Sequence, residues 1–533
     1  MIDEEEFRRH YVSLWADASG IARKPSPLVD IILALCMQYG LAFLPRGVTA
    51  KSIVDTAGPF RDPQIAGKWY YRRCQSLLAL EIESPSLTVV QCHVLSAVYL
   101  CCASFQNTAH STLALAVRAA QILGLHIDPP ADVSDSEKEL RRRVWWCLYT
   151  IETKMSIKVG RPFVGLDWGA SVAPPSDSPE AASLLGGNLG TYGSDVSWLT
   201  YSVQFQRLIL ASRDVYGALH SEISAVLWKK GAKTPYADPQ AMEYCAEFLS
   251  SRKGPLLDWI AQVPKGLTIP RSNDSSAPFS TDRTAVRLNT DAPLWLQRQQ
   301  ISLELSYHIM CMNLYRLFII FSSHTSNHGV TYSPIVEKHA TTAVRHAMIH
   351  TQIMYQVLSE TDILNGWLEG FQWQWNATVT ILGFIIAYPV GPSTPPARKS
   401  IEKVTEIFEM FKENFAVATS AAMLTRNLVE KADILTDRFR EGLMGSPSSM
   451  PVFSPTGNTT KSNSVSTVSD NIIGGGMEPS LTTAEDILGS GFYSDFIDSA
   501  LSVDAFSSFE EFYGDGFNLS SSIDLTTLPN HYR

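Results

Sequence analysis

The chain has 533 residues, 45% apolar and 18% charged, with a formal net charge of −10. That balance excludes a globally disordered or fibrous chain and supplies enough apolar surface for a large core. It also excludes a protein that grips nucleic acid with its whole surface, because neutralising phosphates takes concentrated Lys and Arg.

The first residues, Met1-Ile2-Asp3-Glu4-Glu5-Glu6-Phe7, are acidic where a secretory leader is basic and then apolar. The longest apolar stretches, 310–321 and 378–390, fall short of the ~20 residues a spanning helix needs. The first is interrupted by Asn313 and Arg316. No membrane association is expected.

Residues 1–26 read as a lead, and 27–442 as one all-α body. Helices are predicted over 27–40, 63–81, 86–102, 109–123 and 134–159. A stretch rich in Pro, Ser and Gly, 174–193, interrupts them before further helices at 196–219 and 239–250. A polar loop over 264–292 precedes helices at 293–322, 334–358, 366–387, 396–414 and 416–442. Strand-like alternation is scarce. Residues 443–482 read as a flexible linker, being Ser-, Thr- and Gly-rich without an apolar face.

Residues 483–533 have a different character, interleaving acids with aromatics and holding no Lys or Arg before Arg533. Acids keep aromatic side chains solvated and accessible to a groove on a partner. The candidate contacts are Phe492, Tyr493, Phe496, Phe506, Phe509, Phe512, Tyr513 and Phe517.

Enzymatic chemistry finds no support. No Gly-x-Ser-x-Gly elbow, kinase signature or dinucleotide fingerprint occurs, and Gly474-Gly475-Gly476 lacks the Lys-Ser/Thr of a phosphate loop. Cys92-His93 and Cys101-Cys102 lie about 13.5 Å apart along one helix, too far for a shared metal. His346 and His350 are one turn apart, with His339 near their face, but lack the Glu and third ligand of a helical zinc site. The eight cysteines read as reduced core thiols. Trp367, Phe371, Trp373 and Trp375 form an aromatic cluster that suits core packing better than a pocket wall.

Residues 141–162 carry most of the information. Val144, Leu148, Ile151, Met155 and Val159 recur at helical spacing on one face, and Trp145, Tyr149, Glu152 and Ser156 follow the adjoining one. Gly160 stops the helix, and Pro162 restricts Arg161 to an extended conformation.

The run Arg141-Arg142-Arg143-x-Trp145-Trp146-x-Leu148-Tyr149, followed by Gly160-Arg161-Pro162, resembles the hallmark of the fungal-specific transcription factor domain of zinc-cluster regulators. The upstream run 116–128 is similar too, although Ile127 and Glu152-Thr153 stand where the family usually has Arg and Asp-Arg. The second departure removes the pair on which a salt bridge of that helix would rest. The resemblance implies a nuclear transcription regulator, not an enzyme, whose acidic tail activates by recruiting coactivators. It also implies a homodimer, or a heterodimer with a zinc-cluster factor. No Cys-x-x-Cys occurs in the sequence, so DNA contact and zinc are expected only through a preceding or a partner cluster. A DNA-free cofactor of a complete zinc-cluster factor and a metabolite-binding helical protein are the alternatives.

Overall fold

Serine and proline set where many of the helices begin. In the structure, a computed structural model, the described residues are 1–15, 23–44, 63–165, 169–185, 191–193, 196–273, 277–321, 333–412 and 414–444. Asp3 caps α1 (Glu4–Ser13) by accepting from the Glu6 N–H at 2.8 Å. Ser26 and Ser86 do the same for α2 (Pro27–Ala42) and α4 (Leu87–Cys102), and Ser134 for α6 (Asp135–Val159). Between them lie α3 (Lys68–Leu78) and α5 (Gln106–Ile122).

The interruption after α6 holds a short α7 (Pro179–Leu185) and a two-residue antiparallel pair, β1 (Thr191–Tyr192) with β2 (Val196–Ser197). Then come α8 (Thr200–Lys230), α9 (Pro239–Arg252) and α10 (Gly254–Gln262). The second half is α11 (Leu294–Tyr315), α12 (Pro334–Glu360), α13 (Leu368–Ala387), α14 (Thr394–Phe411) and α15 (Ala416–Met444). The all-α expectation holds.

Helices adjacent in sequence are mostly adjacent in space. Helix α4 packs on α5 and α2, α6 on α5 and α8, and α11 on α12. The last three helices pack on one another, and α13 and α14 also pack on α12. One continuous apolar core results, from Leu28 to Leu435. At ~1.5–3 kcal/mol per fully buried large side chain, that core supplies the main driving force against chain entropy.

Several boundaries differ from the sequence reading. Gly40 does not end α2, which continues to Ala42. Helix α8 runs 11 residues past the expected end at 219, to a stop at Gly231 with φ 61°. Helix α10 lies where no helix was expected. The 264–292 segment is a loop between α10 and α11 as expected, with Leu267, Ile269, Arg271, Phe279 and Val286 buried in it. In the lead, α1 is tied to the body by Gln91, which donates to the Met1 carbonyl at 2.7 Å. Among the described residues no helix is long and apolar enough to cross a membrane.

Candidate functional site

Helix α6 is a strut. Val144 and Leu148 have no exposed surface, and Trp145 and Met155 almost none. The predicted face is thus buried, although Ile151 and Val159 are only half-buried. The adjoining face is buried more completely, and it includes Glu152 and Ser156. Gly160 at φ 64° ends the helix, with Arg161 N donating to Ser156 O at 2.9 Å and Gly160 N to Ile157 O at 3.3 Å. This is a Schellman closure, and it turns the chain sharply away from the helix axis.

A carboxylate can sit inside this face because a cation reaches it. Arg213 of α8 donates Nη1 to Glu152 Oε2 at 3.1 Å and to Thr153 Oγ1 at 2.9 Å. Its Nη2 donates to the Val164 carbonyl at 3.2 Å. Glu152 Oε1 accepts from Val164 N at 2.7 Å and from Ser156 Oγ at 3.0 Å. Burial raises the Glu152 carboxyl above its ordinary value; the Val164 N–H and Arg213 oppose that shift without cancelling it. The departure from Asp-Arg left a salt bridge of this helix open; Glu152 forms one, with an arginine the sequence reading did not single out.

The three motif arginines are all engaged. Arg141 donates to the Leu123 carbonyl at 3.0 Å, closing the end of α5. Arg142 pairs with Asp128 at 3.1 Å, and Asp128 also accepts from Ala173 N. Arg143 pairs with Glu139 at 2.6 Å and donates to the Ser176 carbonyl, while Glu139 accepts from Ser176 N at 3.0 Å. Trp146 Nε1 donates to the Ala173 carbonyl at 2.9 Å. Tyr149 lies under the Arg213 guanidinium, 5.0 Å from its ring centre. Past the Gly160 exit, Arg161 reaches Asn107 at 2.5 Å, and Pro162 follows outside any helix or strand. Together these residues clamp the 173–176 loop and the ends of α5 onto α6.

A second buried polar network joins α11 to α12. Arg271 pairs with Glu304 at 2.5 Å, both sealed from solvent. Phe279 N, in left-handed backbone at φ 59°, also donates to Glu304. His308 meets Glu304 at 3.3 Å and His346 Nδ1 at 2.9 Å. His350 is fully buried with neither ring nitrogen hydrogen-bonded among the described residues. Burial lowers the His350 pKa to about 3, aided by His308. His339 lies apart from this group, bonded to Ser250 and the Ala246 carbonyl. Among the described residues no three His, Cys, Asp or Glu side chains are placed to hold a metal ion. All eight thiols are free. Cys36 corrects the core-thiol expectation, since it is exposed.

The aromatic cluster divides. Phe371 and Trp375 pack into the core against Phe408. Trp367, edge-on to Trp373 at 4.8 Å, lines a cavity of about 310 Å³ beside Phe43 and Arg298. A further cavity of about 380 Å³ lies between α8, the exit of α11 and α13. Neither is lined by a residue of α6. The activation candidates Phe492, Tyr493, Phe496, Phe506, Phe509, Phe512, Tyr513 and Phe517 lie outside the described residues, as does the linker from residue 445 on.

The sequence reading missed Arg213, Arg271, Glu304 and His308. Glu304 carried a local signal, an acid inside the run Ile301-Ser302-Leu303-Glu304-Leu305. The arginines carried none, because their partners are 61 and 33 residues away.

Comparison with known proteins agrees with this scaffold. The fungal specific transcription factor domain family matches residues 6–228. Transcription factor asqA of Emericella nidulans is 36% identical over 443 residues, covering 82% of this chain and 76% of that protein. The terreic acid cluster-specific transcription factor atF of Aspergillus terreus is 35% identical over 444 residues, covering 82% of this chain and 66% of that one. The oosporein cluster regulator OpS3 of Beauveria bassiana is 25% identical over 351 residues, 59% of this chain and 44% of that protein. No solved structure matches. With its motif helix built as a strut and a relative so similar over most of both lengths, the chain belongs to the fungal-specific transcription factor domain family and is a fungal transcription regulator.

Proposed function

We propose that this chain is the regulatory body of a zinc-cluster-type activator that works in the nucleus and does no catalysis. Its helical body, 27–442, receives a signal or a dimer partner, and its acidic-aromatic segment, 483–533, recruits coactivators. DNA contact comes through a zinc cluster on a preceding segment or on a partner chain. Two relatives are named for the control of single metabolite clusters, terreic acid and oosporein. By that likeness the target here is also a set of clustered biosynthetic genes.

The observation that carries the reading is the composition of 483–533: nine aromatics interleaved with acids, with no Lys or Arg before Arg533. Burial of the motif face of α6 supports a scaffold role in place of a reactive one.

A fusion of 483–533 to a foreign DNA-binding module tests the activator role. Reporter expression above the module alone is expected, and none rejects it. A gel-shift with the purified chain tests the DNA-free form. Sequence-specific binding by the chain alone excludes a cofactor that never touches DNA.

A further inference from the structure

Buried arginines in this protein come with a carboxylate: Arg213 has Glu152, and Arg271 has Glu304. Arg316, partly buried, has no carboxylate partner among the described residues. It sits at the C-terminal cap of α11 and faces the 380 Å³ cavity. The one hydrogen bond of its guanidinium among the described residues goes to a neutral amide, Asn376 Oδ1, and Asn376 Nδ2 in turn donates to Asn313 Oδ1 at 3.0 Å. An amide oxygen satisfies one of the five donors of a guanidinium and none of its charge.

The walls around it are mostly apolar. Leu219 comes from α8, Leu314 and Ile320 from the end and exit of α11, and Val379 from α13. Tyr216, His220 and Tyr236 supply the polar rim. Burial raises both phenols and lowers His220, so all three are neutral near pH 7. Arg316 is then the one charged group among the described lining residues. Burial pulls its own pKa down, opposed by Tyr216 and Tyr236, yet a guanidinium stays protonated in any protein setting.

We propose that this cavity is an effector site for a small monoanion with an apolar body, such as an aromatic or alkyl monocarboxylate, held by Arg316. The volume falls within the ~300–1,000 Å³ of small-molecule pockets. A single planar fork matches one carboxylate in a bidentate pair. A phosphate dianion would leave charge uncompensated against one cation, so the chemistry favours the monoanion. The site joins α8, whose N-terminal part falls in the family-matched segment, to α13 in the second half. Occupancy therefore ties the two halves together.

Binding at Arg316 does not depend on the activator reading; only its effect on reporter output does. The test is titration calorimetry of the full chain with 1-naphthoate and with its neutral counterpart 1-naphthamide. Naphthoate is expected to bind at least about tenfold more tightly, the margin of a charge-assisted pair over neutral contacts. Arg316→Met abolishes that preference, and Arg316→Lys keeps part of it. Equal binding of the two probes, no binding of naphthoate, or an unchanged preference in Arg316→Met overturns the assignment. If Arg316→Met fails to fold, Gly383→Leu gives the same answer by filling the cavity. A Cβ there meets only the Phe321 ring, at 3.7 Å. Loss of naphthoate binding in Gly383→Leu supports the site, and unchanged binding overturns it.

Discussion

Arg213 lies 3.1 Å from Glu152, and the two side chains are 8% and 1% exposed. They join α8 to the motif helix through a charge pair almost wholly withdrawn from water. Coulomb attraction rarely repays such desolvation in full, and burial raises the Glu152 carboxyl despite the Arg213 cation beside it. The pair therefore specifies how α8 seats on α6 more than it adds stability.

Removing one partner leaves the other charge buried alone. Arg213→Met is expected to destabilise by about 3–5 kcal/mol. Adding Glu152→Gln to that variant recovers much of the loss, because the orphaned charge disappears. Thermal melting of the single and double variants, followed by helical circular dichroism, checks this. A double variant no more stable than Arg213→Met contradicts the account.

Two glycines with left-handed backbone differ in what surrounds them. At Gly160, φ 64°, an added Cβ meets nothing within 4 Å. Gly160→Ala should then cost only the conformational strain, about 1–2 kcal/mol. At Gly67, φ 75°, the Cβ would lie 2.6 Å from Ala34 Cα, which is backbone and cannot step aside. Gly67→Ala is expected to lower the melting temperature much further. Similar losses at the two sites would show that the α2–α3 approach is loose.

Within the family motif, apolar filling outweighs the polar clamp. Leu148 is fully buried, so Leu148→Ala should cost about 2–5 kcal/mol through the cavity it leaves. Trp146→Phe keeps most of the ring but loses the bond to Ala173, a loss of about 1 kcal/mol. Urea denaturation of both variants tests the ranking, and the reverse order would contradict it.

Acid should weaken the α11–α12 junction before it attacks the carboxylates. His350 has a folded pKa of about 3, against an ordinary value of 6.5. Below 6.5 the unfolded chain binds a proton that the folded chain refuses, so unfolding is favoured as pH falls. Stability is full above about pH 6.5 and declines from there toward pH 3, by up to about 1.4 kcal/mol per pH unit for this one group. His346 and His308 are shifted in the same direction by burial and add to the slope. Melting temperatures at pH 7.5, 6.5 and 5.5 check this. A His350→Phe variant should show a shallower decline below about pH 6.5, and an unchanged one would remove His350 from the account.

Local chemistry made much of the fold readable. Ser86, Ser134 and Pro27 mark helix starts, and Gly160 marks a stop, because a cap depends only on residues within one turn. Helix α10 escaped notice since its nine residues give periodicity little room to declare itself. The 264–292 loop lies where it was expected, but its polar composition hides Arg271 and Phe279, which face inward toward Glu304.

By itself, then, the sequence determined an all-helical body, the strut with its Gly-Arg-Pro exit, and the family to which they belong. Periodicity, capping and motif are all short-range properties of the chain. Only the tertiary structure decided which charges neutralise one another: Arg213 with Glu152, Arg271 with Glu304, and Arg316 with no carboxylate among the described residues. Burial makes each of those charges costly, and whether a partner meets it depends on how distant helices are brought together.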